Sequence, residues 1–191
     1  MIDRDEVDVL RRDVQMLKDI NAIQSLKYRY LECIDTGNVA ELRTLLHDDL
    51  TTDFRGGHFH LTMSGADDFV TFLERTLHTR FIAIHLAHHP QIHIDSDTEA
   101  HGTWYLWDDD RDLQTGARIY GTAIYEDRYE KVAGRWLIRH TGYSRVFHAN
   151  EALSEMEVTV HVLAEHGYEY RADETPVPLG VKVDTRTSLE E

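Results

Sequence analysis

The chain has 191 residues, 20 Lys+Arg against 35 Asp+Glu, 41% hydrophobic residues, one cysteine and three prolines, the composition of one soluble globular domain. Its formal net charge of −15 opposes nucleic-acid phosphates, whose binding depends on Lys and Arg releasing counterions, so DNA and RNA are not expected as partners. The lone Cys33 excludes a disulfide framework and the multi-cysteine zinc modules, which fits a reducing, cytoplasmic compartment.

The start, MIDRDEVDVLRRD, places acids where a secretory peptide needs a basic and then an apolar region, and no run approaches the roughly 18 apolar residues of a membrane span. Neither export nor membrane insertion is expected. From Val7 to Ile34 apolar residues recur at threes and fours (Val7, Leu10, Val14, Leu17, Ile20, Ile23, Tyr30, Ile34), which predicts a long amphipathic helix closed by Thr36-Gly37. The spacing admits a break near Asn21. Asn38 stands three residues before Glu41, a capping-box spacing that opens a short helix through Leu42, Leu45 and Leu46. Residues 50–55 and 58–63 flank Gly56-Gly57 and read as a hairpin. Ser64 is the expected N-cap of a third helix through Phe69, Phe72, Leu73 and Leu77.

The second half holds long β-type runs, FIAIHLAHHPQIHID, EAHGTWYLWD, ARIYGTAIYEDRYEKV and RWLIRHTGYSRVF, with tight turns at Asp95-Ser96-Asp97 and Ala133-Gly134. Helices followed by an antiparallel meander predict an α+β domain, residues 1–150, whose curved sheet wraps around the N-terminal helices. Residues 151–191 are expected to form a C-terminal extension, a short helix and a polar tail, packed on this domain's surface or a neighbouring subunit. Val158, Val160, Val162 and Leu163, with an open outer sheet face, predict self-association.

Histidines crowd the segment IHLAHHPQIHID. On a regular strand His85 and His89 share one face and His88 the other, so these rings do not converge on one ion. With no H-E-x-x-H helix or cysteine pair, no metal is expected. Asp35 ends an apolar helix, where an acid opposes the helix dipole, and Tyr30 lies five residues earlier. Asp108, Asp109 and Asp110 follow the strand WYLW, and like charges at a strand end read as a solvated turn unless one member points inward. Arg145 alternates with Tyr143 and Phe147; a cation on such a face meets a carboxylate or an anionic ligand.

Three segments, YRYLECID (Tyr28 to Asp35, with Tyr30 within it), His85 to Asp108 and GRWLIRHTGYSR (Gly134 to Arg145), make residues 8–148 resemble the SnoaL-like branch of the nuclear transport factor 2-like superfamily, the cystatin-like α+β cone. The pattern is most similar to the bile-acid 7α-dehydratase group, and more distantly to scytalone dehydratase and hexachlorocyclohexane dehydrochlorinase. The resemblance implies a deep, largely apolar pocket and places the family's catalytic tyrosine, aspartate and histidine on Tyr30, Asp35 and His85. Its substrate-binding positions fall on His88, Asp108 and Arg145, and His89 stands where related sequences carry asparagine.

The implied activity is a cofactor-independent dehydratase. In it, Asp35 strengthens His85 as the base that removes a proton next to a carbonyl of a hydrophobic ring or steroid-like substrate, and Tyr30 donates to the carbonyl oxygen. Isomerases and polyketide cyclases use similar residues on this scaffold, and related cones serve as ligand-binding modules or dioxygenase small subunits. A homodimer or homotrimer built on the sheet is implied as well.

Overall fold

A computed structural model describes residues 3–56, 59–153 and 161–166. In chain order these form α1 (Arg4–Thr36), α2 (Val39–Leu45), β1 (Leu46–Arg55), β2 (His60–Ser64), α3 (Ala66–Thr76), β3 (Phe81–Ile82), β4 (His85–Ile94), β5 (Glu99–Asp112), β6 (Ala117–Val132), β7 (Arg135–Ala152) and α4 (Val162–His166). The fold is α+β, with a curled sheet around N-terminal helices, as expected.

α1 opens on Asp3, whose side chain accepts from the Asp5 backbone N–H, and carries Asp5 and Glu6 in its first turn, where acids favour the helix dipole. It runs unbroken through Asn21. That residue is exposed, and an exposed asparagine costs a helix only about 0.7 kcal/mol or less, too little to interrupt it. The expected apolar stripe is buried only from Ile23 onward, whereas Leu10, Val14 and Leu17 of the N-terminal half are exposed. The helix ends in a Schellman motif: Gly37 takes φ 68°, its N–H donates to Ile34 O, and the Asn38 N–H donates to Cys33 O. The last turn, which carries Asp35, is thereby fixed. Asn38 caps α2 by accepting from the Glu41 N–H, as the capping box predicts. The third helix departs from expectation, because Ser64 belongs to β2, paired with Thr51, and Gly65 at φ 96° is the N-cap.

The seven strands form one sheet in the order β2-β1-β7-β6-β5-β3, with β4 also paired to β5. Neighbours are antiparallel except β1 and β7, which run parallel and attach the expected hairpin to the meander. Both expected tight turns lie between strands, and Ala133 and Gly134 take positive φ. Even-numbered residues of β5 (Trp104, Leu106) and odd-numbered residues of β6 (Ala123, Tyr125, Tyr129) face inward and cover Ile23, Leu26, Tyr30 and Leu31 of α1. Each such large side chain contributes roughly 1.5–3 kcal/mol on burial.

The sheet curls at register shifts between His88 and Gln91, between Thr122 and Ala123, and between Arg128 and Tyr129. These irregularities overturn two readings made from strict alternation. His89 sits in the first, at φ 49°, and is exposed while His85 is half-buried, so the two do not share a face. Val146 is the extra residue of the second, which turns Phe147 out to 48% exposure, away from the face of Tyr143 and Arg145. β7 continues two residues beyond the expected boundary at Asn150, to Ala152. Of the expected C-terminal helix, Val162–His166 is observed; Val158, Val160 and the tail lie outside the described residues.

Candidate active site

Asp35, on the last turn of α1, meets the first residue of β4 twice. Its Oδ1 lies 2.7 Å from His85 Nδ1, and its Oδ2 accepts from the His85 backbone N–H at 3.1 Å. An ionised carboxylate only accepts, so Nδ1 carries the proton and Nε2 is left as the basic nitrogen of the neutral ring. Burial lowers the imidazole's pKa, but the bond to Asp35 and the charges of Asp110, Asp35 and Asp108 outweigh it and hold His85 above its ordinary value.

β4 pairs with β5 so that His85 stands opposite Asp108. Asp108 is 2% exposed and carries the guanidinium of Arg145, with Nη1 donating to Oδ1 at 2.6 Å and Nη2 near Oδ2 at 2.5 Å. The Arg145 side chain is 9% exposed and lies over the Tyr143 ring, 5.0 Å from its centroid. Burial opposes the arginine's charge, but the hydrogen bond to Asp108 leads the effects that hold its pKa above the usual range. Burial likewise pushes Tyr143 up to about 12, against the nearby Arg145 cation. Gly121 faces Asp108 across β5–β6, and a Cβ there would lie 2.3 Å from the Phe147 carbonyl oxygen, so the second bulge demands glycine.

The three consecutive aspartates divide by strand parity. Asp109 turns to Arg118 and Arg111, with Arg118 Nε and Nη2 donating to it at 2.9 and 2.8 Å. Asp108 and Asp110 turn inward. Asp110 Oδ1 is buried and has no hydrogen-bond partner among the described residues, and burial raises this carboxyl to about 6, with His85, Asp108, Arg145 and Asp35 all acting on it. The run is therefore not the solvated turn that its like charges suggest, since two of its three members point inward. The inward parity of Trp104 and Leu106 is the signal that identifies Asp110.

Tyr30 is fully buried one level deeper. Its hydroxyl shares a hydrogen bond with Thr141, and burial together with the Asp127 charge raises its pKa. Around it lies a polar cluster that sequence reasoning missed. Lys27 and Asp127, both 0% exposed by side chain, pair at 2.8 Å; Tyr129 O–H donates to Asp127 and Trp104 Nε1–H to Tyr129. The structure thus joins Asp35, His85, Asp108 and Arg145, adds Asp110, and sets Tyr30 behind them. His88 is exposed, with its ring 6.0 Å from that of His89.

A groove of about 300 Å³ runs between α1 and β4 past the pair, lined by residues that include Tyr28, Leu31, Asp35, His85, Leu86 and His88. It is open rather than the enclosed cup expected, since Tyr28 is 50% and Leu86 46% exposed. Among the described residues no three His, Cys, Asp or Glu side chains form a group that would hold a metal ion, and no helix is long and apolar enough to cross a membrane.

A curled sheet wrapped around N-terminal helices is the nuclear transport factor 2-like, cystatin-like fold. The chain belongs to the SnoaL-like domain family, whose sequence profile matches residues 15–142. Among solved structures it is similar to a provisionally named scytalone dehydratase from Novosphingobium aromaticivorans, at 20% identity and TM-score 0.66, over 74% of this chain and 93% of that one. It is also similar to a hexachlorocyclohexane dehydrochlorinase, LinA type 2, at 18% identity and TM-score 0.67, over 76% and 97% of the two chains. A third is a nuclear transport factor 2-like protein with a cystatin-like fold from N. aromaticivorans, at 15% identity and TM-score 0.62, over 75% and 92%. At these identities the likeness establishes the fold.

Proposed function

We propose that the protein is a lyase of the dehydratase type, in which His85, oriented by Asp35, removes a proton next to a carbonyl of a hydrophobic ring substrate. The carrying observation is the double hydrogen bond from His85 to Asp35, which fixes both the tautomer and the position of the ring. Arg145, held by Asp108 on the same inner face, is the cation toward which the developing enolate oxygen is oriented. Tyr30, which the resemblance makes the donor to the carbonyl oxygen, is buried with its hydroxyl bonded to Thr141, and Arg145 takes that role in this reading. Dehydration and dehydrochlorination, named for two structural relatives, both remove a proton and a leaving group from adjacent carbons. The resemblance to the bile-acid 7α-dehydratase group, which assigns Tyr30, Asp35, His85, Asp108 and Arg145 to its site, is a further support for this chemistry.

Purified protein is to be assayed on a panel of cyclic β-hydroxy ketones, from single rings to steroids, by the absorbance of the conjugated enone. His85→Gln is expected to lower turnover of any substrate found by roughly 10²–10⁴-fold without loss of fold. Turnover that survives this change, or a wild-type protein that eliminates water from none of the panel, contradicts the reading.

A further inference from the structure

We propose that Asp110 is a second catalytic residue, the acid that protonates the departing β-hydroxyl and lets it leave as water. The proposal rests on the dehydratase reading above and supplies its missing half, because a base alone does not expel hydroxide. Asp110 is two residues from Asp108 on one strand, so both carboxyls face the inner side while Asp109 between them pairs with Arg118 on the other. Its surroundings hold charge from four directions: His85 from β4, Asp108 from β5, Asp35 from α1, and Arg145 with Tyr143 from β7. Arg145 is already bound to Asp108, and Asp35 is already bound to His85. Of the three carboxyls, Asp110 is the one with a buried oxygen, Oδ1, that has no partner among the described residues.

A buried carboxyl oxygen left unpaired costs free energy that a guest's hydroxyl can offset. Burial also favours the neutral acid, with Asp110 raised to about 6, so near neutral pH the group carries a transferable proton far more often than an ordinary aspartate does.

The step balances. His85 Nε2 takes the proton from the carbon next to the carbonyl, and the electrons of that C–H bond form the new C=C bond. The C–O bond at the adjacent carbon breaks as its oxygen takes the proton of Asp110, and water leaves. Imidazolium and carboxylate remain, and transfer of the proton from His85 to Asp110 restores the starting state.

The test compares wild type with Asp110→Asn on a cyclic β-hydroxy ketone and on its β-chloro analogue, since chloride leaves without a proton. Asp110→Asn is expected to lower water elimination by at least about 10²-fold and chloride elimination by less than about threefold. Retained chloride elimination shows in the same assay that the variant is folded. Equal losses on the two substrates, or no loss on the hydroxy compound, overturn the role of Asp110 and leave the base in place. A wild type that eliminates neither overturns the dehydratase reading and this proposal together. As a readout independent of turnover, infrared difference spectra are to show a carboxylic-acid band that disappears as pH rises through about 6 in wild type and is absent in Asp110→Asn; a band unchanged by the substitution also overturns it.

Discussion

Asp35 holds His85 by two atoms, the ring Nδ1 at 2.7 Å and the backbone N–H at 3.1 Å, so one carboxylate sets both the protonation and the position of the imidazole. The Schellman turn at Gly37 fixes the carboxylate in turn. Asp35→Asn removes the charge but keeps the shape. The His85 pKa is then expected to fall from its raised position, because burial acts against less opposition, and kcat/KM on any substrate found falls roughly 10²–10⁴-fold. Histidine NMR titration of both proteins measures the first effect. An unchanged His85 curve rules out the coupling.

The pH profile follows from the two groups together. Elimination needs neutral His85 and protonated Asp110, yet His85 is held above 6.5 and Asp110 near 6, so the productive form is a minority at every pH. The profile of kcat/KM is expected to be a narrow bell with its maximum between the two apparent values. In Asp110→Asn the alkaline limb disappears and the residual rate rises to a plateau as His85 loses its proton. A wild-type profile that is already flat on the alkaline side excludes Asp110 as the acid.

Much of this site is legible in the chain because it depends on local rules. Helix periodicity and Thr36-Gly37 place Asp35 at a helix end, and the Asn38–Glu41 spacing sets the entry to α2. The elements past which Asp35 meets His85 are 50 residues apart, and only the family resemblance joined them. What alternation misplaces lies at bulges. His89 and Phe147 turn outward because an extra residue is inserted where the sheet bends, and the bend depends on pairing with strands elsewhere in the sequence. Asp110 was hidden by its neighbours, since three like charges suggest solvent until the parity of Trp104 and Leu106 is extended to them. Lys27 was hidden by its charge, because its partner Asp127 lies 100 residues away.

That buried pair has its own consequence for stability. Lys27 sits 3.5 Å from the centroid of the Tyr125 ring, and burial lowers its pKa against the pull of Asp127. Lys27→Met strands the Asp127 charge in the core and is expected to cost about 3–5 kcal/mol. The double change Lys27→Met with Asp127→Leu removes both charges and is expected to be less damaging than the single one. Urea unfolding of the three proteins decides this, and a single variant within about 1 kcal/mol of wild type refutes a buried, fully paired lysine.

Asp110 ties the site to stability as well as to catalysis. Its carboxyl titrates near 3.8 in an unfolded chain and about 6 in the fold, so between these values the folded state binds the proton more tightly. Its contribution is therefore fully present below pH 3.8, is lost as pH rises to about 6, and stays lost above that. His85 acts in the same sense, since its raised value gives stability that is present below 6.5 and fades as pH rises through the folded pKa. Carboxylates such as Asp53, held down to about 2 chiefly by the hydrogen bond from Arg55, slope the opposite way, so the wild-type curve alone does not isolate Asp110. The difference between wild type and Asp110→Asn does. Asparagine cannot ionise, so the variant is expected to match wild type near pH 4 and to exceed it at about pH 8 by an amount on the order of 3 kcal/mol or less. Urea unfolding at the two pH values measures this. A variant that is less stable than wild type at the higher pH shows that the carboxylate is accommodated there, and removes the reason for its raised pKa.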